Sequence, residues 1–180
     1  MTPDIHLLPF GTVDFSELRA GVAFEQRSVC VYGKVHPQPR LTKWYGPVAY
    51  RYSGLEWPVE ALPRLLEELL GRVGALTGER FNSVLCNLYR GGRDCVGWHA
   101  DDEPIFGGDP VVASLSFGAS RTFRLRRKAD RKVKREFELG DGTLLVMGRG
   151  VQPGWEHSLP RTARSVGERI NLTFRYIPES

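Results

Sequence analysis

Apolar and polar residues alternate with period two in several short runs of this chain and follow a helical period in one. "SVCVYGKV" (28–35) predicts a strand ending in a Gly turn. "HPQPR" follows, where proline fixes φ and lacks an N–H, so regular structure is not expected. "VAYRYSG" (48–54) is short, aromatic and alternating, again strand-like. Leu62, Leu65, Leu66, Leu69, Val73 and Leu76 fall at helical spacing and predict one helix, ended by "GER" after Thr77. Beyond it the pattern predicts strands at 83–90, 111–117, 121–127, 134–139, 143–147 and 169–177. Val111, Ala113, Leu115 and Phe117 alternate with Ser114 and Ser116, and Phe123 and Leu125 with Arg124 and Arg126. In the last run Arg169, Asn171, Thr173 and Arg175 share one face, and Ile170, Leu172, Phe174 and Tyr176 the other. One helix backing many short strands predicts a mainly β, α+β fold, a sandwich or jelly roll with helices packed outside.

Composition narrows this picture. A chain of 180 residues suits one domain with a sizeable core, and 20 Gly with 12 Pro favour turn-rich β architecture over a helix bundle. No run approaches the roughly 20 apolar residues of a membrane span. The first fifteen residues carry acids early and no cationic region, so a secretory leader is not expected. Cys30, Cys86 and Cys95 make an odd count without a CxxC pair, which fits reduced thiols in a cytoplasmic protein. A monomer is the default expectation. Net charge is only +4, yet from Arg121 to Arg135 nine residues are basic and one, Asp130, is acidic. That strip reads either as a polyanion contact or as a solvated hairpin.

Candidate chemistry centres on "GWHADDEP" (97–104). Residues two apart on a strand point to the same side, so His99 and Asp101 can offer an imidazole and a carboxylate to one ion. His157 in "GWEHSLP" is the best third ligand; His6 lies near the N-terminus and His36 in a Pro-rich turn. Two imidazoles and one carboxylate form the facial triad of non-haem Fe(II) oxygenases, and zinc accepts the same donors. The polar side of 169–175 faces either solvent or a cavity. Six strand residues span about 20 Å, so Arg169 and Arg175 leaning inward could grip both ends of a short dicarboxylate by bidentate bonds. Asn87 and Tyr89 share one strand side and could add neutral hydrogen bonds.

Taken together, "QPRLTKWYG", "YRYSG", "FNSVLCNLYRGGRDCVGWHADDEP", "ASLSFGASRTFRLR", "WEHSLP" and "RINLTFR" resemble the AlkB family of Fe(II)/2-oxoglutarate-dependent nucleic-acid demethylases. The resemblance runs over roughly residues 28 to 178 and is closest to the DNA-repair branch. It implies a double-stranded β-helix (jelly-roll) dioxygenase core over 28–180 with a nucleotide-recognition lid at 28–54, and an N-terminal segment, 1–27, packed on the core. It implies Fe(II), 2-oxoglutarate and O₂, with His99, Asp101 and His157 as metal ligands. Arg175 matches the arginine on the carboxylate nearer the iron and Arg169 the one on the far carboxylate, supported by Asn87, Tyr89 and Asn171. The implied reaction is oxidative demethylation of N1-methyladenine and N3-methylcytosine in DNA. The alternative is the same chemistry on RNA or protein.

Both lesions are cationic, which gives the remaining acids a purpose. Asp102 matches a position that contacts the damaged base, with Glu103 beside it, unless either is solvated or paired with an arginine such as Arg93. Tyr50 and Tyr52 match aromatic lid positions at what should be a wet rim, since flipped bases stack on aromatics. Tyr32 aligns with a hairpin wedge, and Arg40 is a candidate backbone or lesion contact. Arg124 and Arg126, with Arg127, Lys128, Arg131, Lys132 and Lys134, would track phosphates. Such an enzyme is expected in the cytoplasm, or in the nucleus if the source is eukaryotic.

Overall fold

The computed structural model describes residues 2–31, 34–52 and 55–178, with the backbone alone for Cys30, Val31, Tyr52 and Leu55. In chain order it runs β1 (Ile5–Pro9), α1 (Phe15–Gly21), β2 (Ser28–Val31), β3 (Lys34–Pro37), β4 (Leu41–Tyr45), β5 (Tyr50–Tyr52), β6 (Leu55–Trp57), α2 (Arg64–Thr77), β7 (Ser83–Tyr89) and β8 (Val96–His99). A 3₁₀ turn at Pro104–Phe106 leads to β9 (Val112–Gly118), β10 (Arg121–Arg127), β11 (Lys134–Leu139), β12 (Thr143–Met147), α3 (Val151–Gly154), β13 (Trp155–Leu159) and β14 (Arg169–Arg175).

A six-stranded sheet, ordered β1-β12-β9-β14-β7-β4, faces a four-stranded sheet, ordered β11-β10-β13-β8. The larger sheet buries its two sides differently. On one side Val84, Cys86, Leu88, Leu115, Ile170, Leu172 and Phe174 pack against Leu18 of α1 and Leu66, Leu69 and Val73 of α2. Helical spacing thus meets strand alternation in one apolar layer. Leu66 is fully buried, so truncating it to alanine should cost about 2–5 kcal/mol. On the other side Val112, Leu145 and Met147 meet Phe123, Leu125, Leu139 and Trp155, which closes one end of the jelly roll with apolar packing. The polar residues of β7 and β14 occupy the rest of that interior and line a cavity.

Three sequence expectations need correction. The run 28–35 is not one strand: β2 pairs antiparallel with β3, in register from Ser28↔Pro37 to Val31↔Lys34. Regular structure therefore reaches through His36 to Pro37, which is tolerated because the proline closes the strand at a free edge. The weakly patterned N-terminus also supplies two elements. β1 pairs along β12, and α1 is capped by Asp14, whose carboxylate accepts from the Glu17 N–H at 2.9 Å. Finally, β4, β6, β8 and β13 lie in stretches where the alternation is too short to predict strands.

Candidate metal and cosubstrate site

Two strands of the smaller sheet bring the candidate ligands together. β13 pairs antiparallel with β8 so that His157 lies opposite His99, and the two imidazoles sit with ring centroids 4.2 Å apart. Asp101 follows β8 and turns inward, its Oδ2 3.7 Å from His157 Nε2. Among the described residues, His99, Asp101 and His157 are the group whose donor atoms lie within 4.8 Å of one another. His6 instead pairs with Asp4 on the surface, and His36 is exposed on β3.

Local bonds fix these ligands. His99 Nδ1 lies 2.8 Å from the Gly97 carbonyl; with the proton there, Nε2 is the nitrogen that would be offered to a metal. The buried Gln152 of α3 accepts the Asp101 backbone N–H at 2.9 Å. Phe123 stacks on the His157 ring at 5.4 Å. Burial, together with His99, pushes the His157 imidazole down to about 3, and burial also lowers His99, so both rings are neutral donors at neutral pH. Burial alone would raise the Asp101 carboxyl, but Arg175, His157 and His99 outweigh it and hold the group at about 2.

β14 supplies the opposite wall. Arg169, Asn171, Thr173 and Arg175 all point into the cavity, where Asn87 and Tyr89 of β7 and Ser114 of β9 also line it. Arg169 donates to Ser116 Oγ at 2.8 Å, and Asn171 donates to Ser114 Oγ at 2.8 Å. Arg175 is bonded to Asp101 Oδ1 at 2.7 Å. Asp101, Tyr50 and Glu103 keep the Arg175 guanidinium charged despite its burial, whereas burial pushes Arg169 down to about 10. Asp101 Oδ2, Arg169 Nε, and Arg175 Nε and Nη1 are all buried without a hydrogen-bond partner. Buried polar groups are normally satisfied. One orphaned carboxylate oxygen beside two imidazoles suits a divalent metal, and three orphaned guanidinium nitrogens suit a dianion. The residues fit iron(II) and 2-oxoglutarate.

The other predicted residues divide. Glu103, not Asp102, turns toward the site: its Oε1 accepts from the Tyr50 hydroxyl at 2.9 Å, while its Oε2 is buried without a partner. Burial and the neighbouring Asp101 raise the Glu103 carboxyl. Asp102 faces out and pairs with Lys128 at 2.8 Å. Tyr50 borders the cavity but is not on a wet rim. It is 1% exposed, stacked between Trp44 and Trp57 with ring centroids at 4.5 and 5.6 Å. Arg40 is buried in the cavity wall and donates to Asn87 Oδ1 at 2.8 Å. Arg124 pairs with Glu136, and Arg126 pairs with Glu156 and lies over Trp98, on the outer side of the smaller sheet. Tyr32 and the Tyr52 side chain lie outside the described residues. Sequence reasoning assigned no role to Ser114, Ser116, Thr173 or Gln152. The alternation of β9 and β14 marks the first three as one polar layer; nothing local marks Gln152.

The comparisons agree with this geometry. The model of the 2OG-Fe(II) oxygenase superfamily matches residues 12–175. Human alpha-ketoglutarate-dependent dioxygenase alkB homolog 3 is 41% identical over 172 residues, covering 89% of this chain and 59% of that protein. Mouse DNA oxidative demethylase ALKBH2 is 40% identical over 159 residues, covering 83% of this chain and 66% of its own length. The chain thus spans about three-fifths of the curated relatives it matches. The solved structure of OsALKBH1 superposes with a TM-score of 0.68 over 98% of both chains at 15% identity, a likeness of fold. On the family match and on the triad and arginine pair that fit its cofactors, this chain belongs to the 2OG-Fe(II) oxygenase superfamily, among the AlkB homologues.

Proposed function

We propose that this protein oxidatively removes methyl groups from N-alkylated bases in DNA, N1-methyladenine and N3-methylcytosine, coupled to decarboxylation of 2-oxoglutarate. The observation that carries the reading is Glu103, whose Oε2 is buried and unpartnered beside the triad while Tyr50 fixes its other oxygen. Both lesions are cations bearing an exocyclic N–H donor. A desolvated carboxylate with one open acceptor favours such a base over its neutral parent. The target methyl lies on a Watson–Crick edge, so the base must leave the stack to reach the cavity.

Iron(II), once bound with 2-oxoglutarate and O₂, supplies the oxidant for hydroxylating a C–H bond. His99, Asp101 and His157 would hold the metal. Arg175 would take the carboxylate of 2-oxoglutarate next to the metal, and Arg169, at the far end of β14, the other. Leu85, Val96, Phe123 and Leu159 line the same cavity with apolar surface. The hydroxymethyl group formed on a ring nitrogen is a hemiaminal, which sheds formaldehyde and returns the base. The name of the ALKBH2 relatives, DNA oxidative demethylase, supports DNA as the substrate.

The test is anaerobic loading with Fe(II) and 2-oxoglutarate, then O₂ and an oligonucleotide bearing N1-methyladenine, with His99→Ala as control. Equal yields of succinate and repaired base are expected. Succinate without repair would keep the dioxygenase and move the substrate to RNA or protein. Neither product from iron-loaded protein would overturn the reading.

A further inference from the structure

We infer that Lys43 is a positioning residue for nucleic-acid binding: one buried ammonium ties both ends of the segment that carries the two small hairpins. The inference rests on the function proposed above. On β4, Thr42 and Trp44 lie opposite Asn87 and Leu85, which line the cavity, while Lys43 and Tyr45 lie opposite Cys86 and Val84 on the helix side. Lys43 therefore touches neither metal, cosubstrate nor base. It is 6% exposed, and its Nζ donates to Glu25 at 2.8 Å and to Glu60 at 2.6 Å.

Those two acids sit at telling places. Glu25 precedes β2 and Glu60 follows β6, so the chain between them holds the β2–β3 and β5–β6 sheets. Among the described residues, neither small sheet pairs with the two larger ones. Backbone bridges mark the same two points: Glu25 exchanges both bonds with Thr42 at 3.0 Å, and the Glu60 carbonyl accepts from the Gly46 N–H at 3.0 Å. On the opposite side of β4, Trp44 stacks under Tyr50 and its indole N–H donates to the Val48 carbonyl at 3.0 Å. A single strand thus holds the hairpins by ions on one side and by aromatic rings on the other. Tyr50 in turn holds Glu103, so the clamp reaches the base-facing carboxylate through one stack.

The energetics favour orientation over bulk stability. The Lys43 side chain is buried, but both of its acids are more than a third exposed, so water screens the pairs and they add little to overall stability. Stacked rings are tolerant of sliding. Two short ion pairs at fixed points are not, and they set the angle at which the hairpins leave the sheet.

The experiment uses Lys43→Met/Glu25→Gln/Glu60→Gln, which removes the Lys43 ammonium together with both its acids and leaves only the solvent-accessible Arg27, 3.2 Å from Glu25, without its carboxylate, beside Lys43→Arg, which keeps both pairs. Amide exchange is read in β2, β3, β5 and β6 against β7 and β14, and kinetics use a single-stranded oligonucleotide with N1-methyladenine. The triple variant should exchange faster in the four hairpin strands alone. Its KM for oligonucleotide should rise about tenfold, about 1.4 kcal/mol, with KM for 2-oxoglutarate unchanged within about twofold. Lys43→Arg should restore both readouts. Unchanged hairpin exchange, or an equal rise in β7 and β14, would overturn the inference. A wild-type protein that binds no oligonucleotide would sink the proposed function instead, and exchange would still decide whether the clamp exists.

Discussion

Arginines on the two sides of this jelly roll are handled in opposite ways. On the inner side, Arg169 and Arg175 are almost fully buried and leave three guanidinium nitrogens without a hydrogen-bond partner. On the outer side of the smaller sheet, Arg124 and Arg126 each meet a carboxylate at 2.7 Å. Burial is not what separates the two sets. Arg121 is 1% exposed, yet it spends its donors on the carbonyls of Gly91, Asp94 and Pro160, stapling two loops. Trp57 Nε1 is also buried without a partner away from the cavity, so what distinguishes the cavity is the clustering of several such groups, which a charged ligand would complete.

The largest expected effect comes from breaking the inner set at its charged partner. Arg175→Met leaves the Asp101 carboxylate buried without its cation. Metal-free protein should lose about 3–5 kcal/mol in urea unfolding, with m unchanged, and turnover should vanish. A loss below about 1 kcal/mol would mean that Asp101 finds water instead, and the inner set would no longer differ from the outer one.

Arg169→Met separates ligand binding from folding. Burial pushes this guanidinium down to about 10, so its charge is unfavourable in the unliganded fold. Removing it should leave the melting temperature unchanged or raised. The KM for 2-oxoglutarate should rise about a hundredfold, the loss expected for one or two charge-assisted hydrogen bonds at about 1.5–3 kcal/mol each. A fall in stability without a change in KM would reverse the assignment. Glu103→Gln is smaller. It keeps an acceptor for Tyr50 but removes the charge, so preference for N1-methyladenine over a neutral N-methylated base should fall about tenfold at constant 2-oxoglutarate KM. Equal preference before and after would leave the cationic base without a partner at this position.

How far the sequence reveals this contrast depends on the strand. In β14 the inner arginines are legible, because strict alternation puts Arg169 and Arg175 on one side and Ile170, Leu172 and Phe174 on the other. His99 and Asp101 come together for another reason: β8 ends at His99 and Asp101 turns inward beyond it, so the i, i+2 argument names the right pair without strand geometry holding at Asp101. The turn after β8 is not legible: no periodicity says whether Asp102 or Glu103 points in, and the 3₁₀ turn at Pro104–Phe106 accompanies Glu103 on the inner side. Tyr50 looks like a rim residue by its own neighbours. It is buried because Trp44, Trp57 and Phe106, from elsewhere in the chain, pack around its ring. The outer arginines read as free charge because their acids, Glu136 and Glu156, lie 12 and 30 residues away in sequence.

The smallest expected effect tests that last point. Arg124→Gln/Arg126→Gln removes two positive charges that already have partners, and Arg124 is 44% exposed on its side chain. The Arg124 pair is exposed and the Arg126 pair only partly so; at about 0–1 kcal/mol each, stability should shift by no more than about 2 kcal/mol. Each arginine is also neutralised locally, so the dependence of oligonucleotide binding on salt should change by less than one unit of slope. Arg131→Ala/Lys132→Ala, at the exposed tip between β10 and β11, is the matched comparison. If the tip tracks phosphates, those two residues should lower the slope by about two, near one per charge removed. A fall of about two in both variants would mean that the carboxylates release their arginines to the nucleic acid. The outer side would then be a reserve of charge rather than a closed set of pairs, and unsatisfied hydrogen bonding alone would not identify the residues that bind.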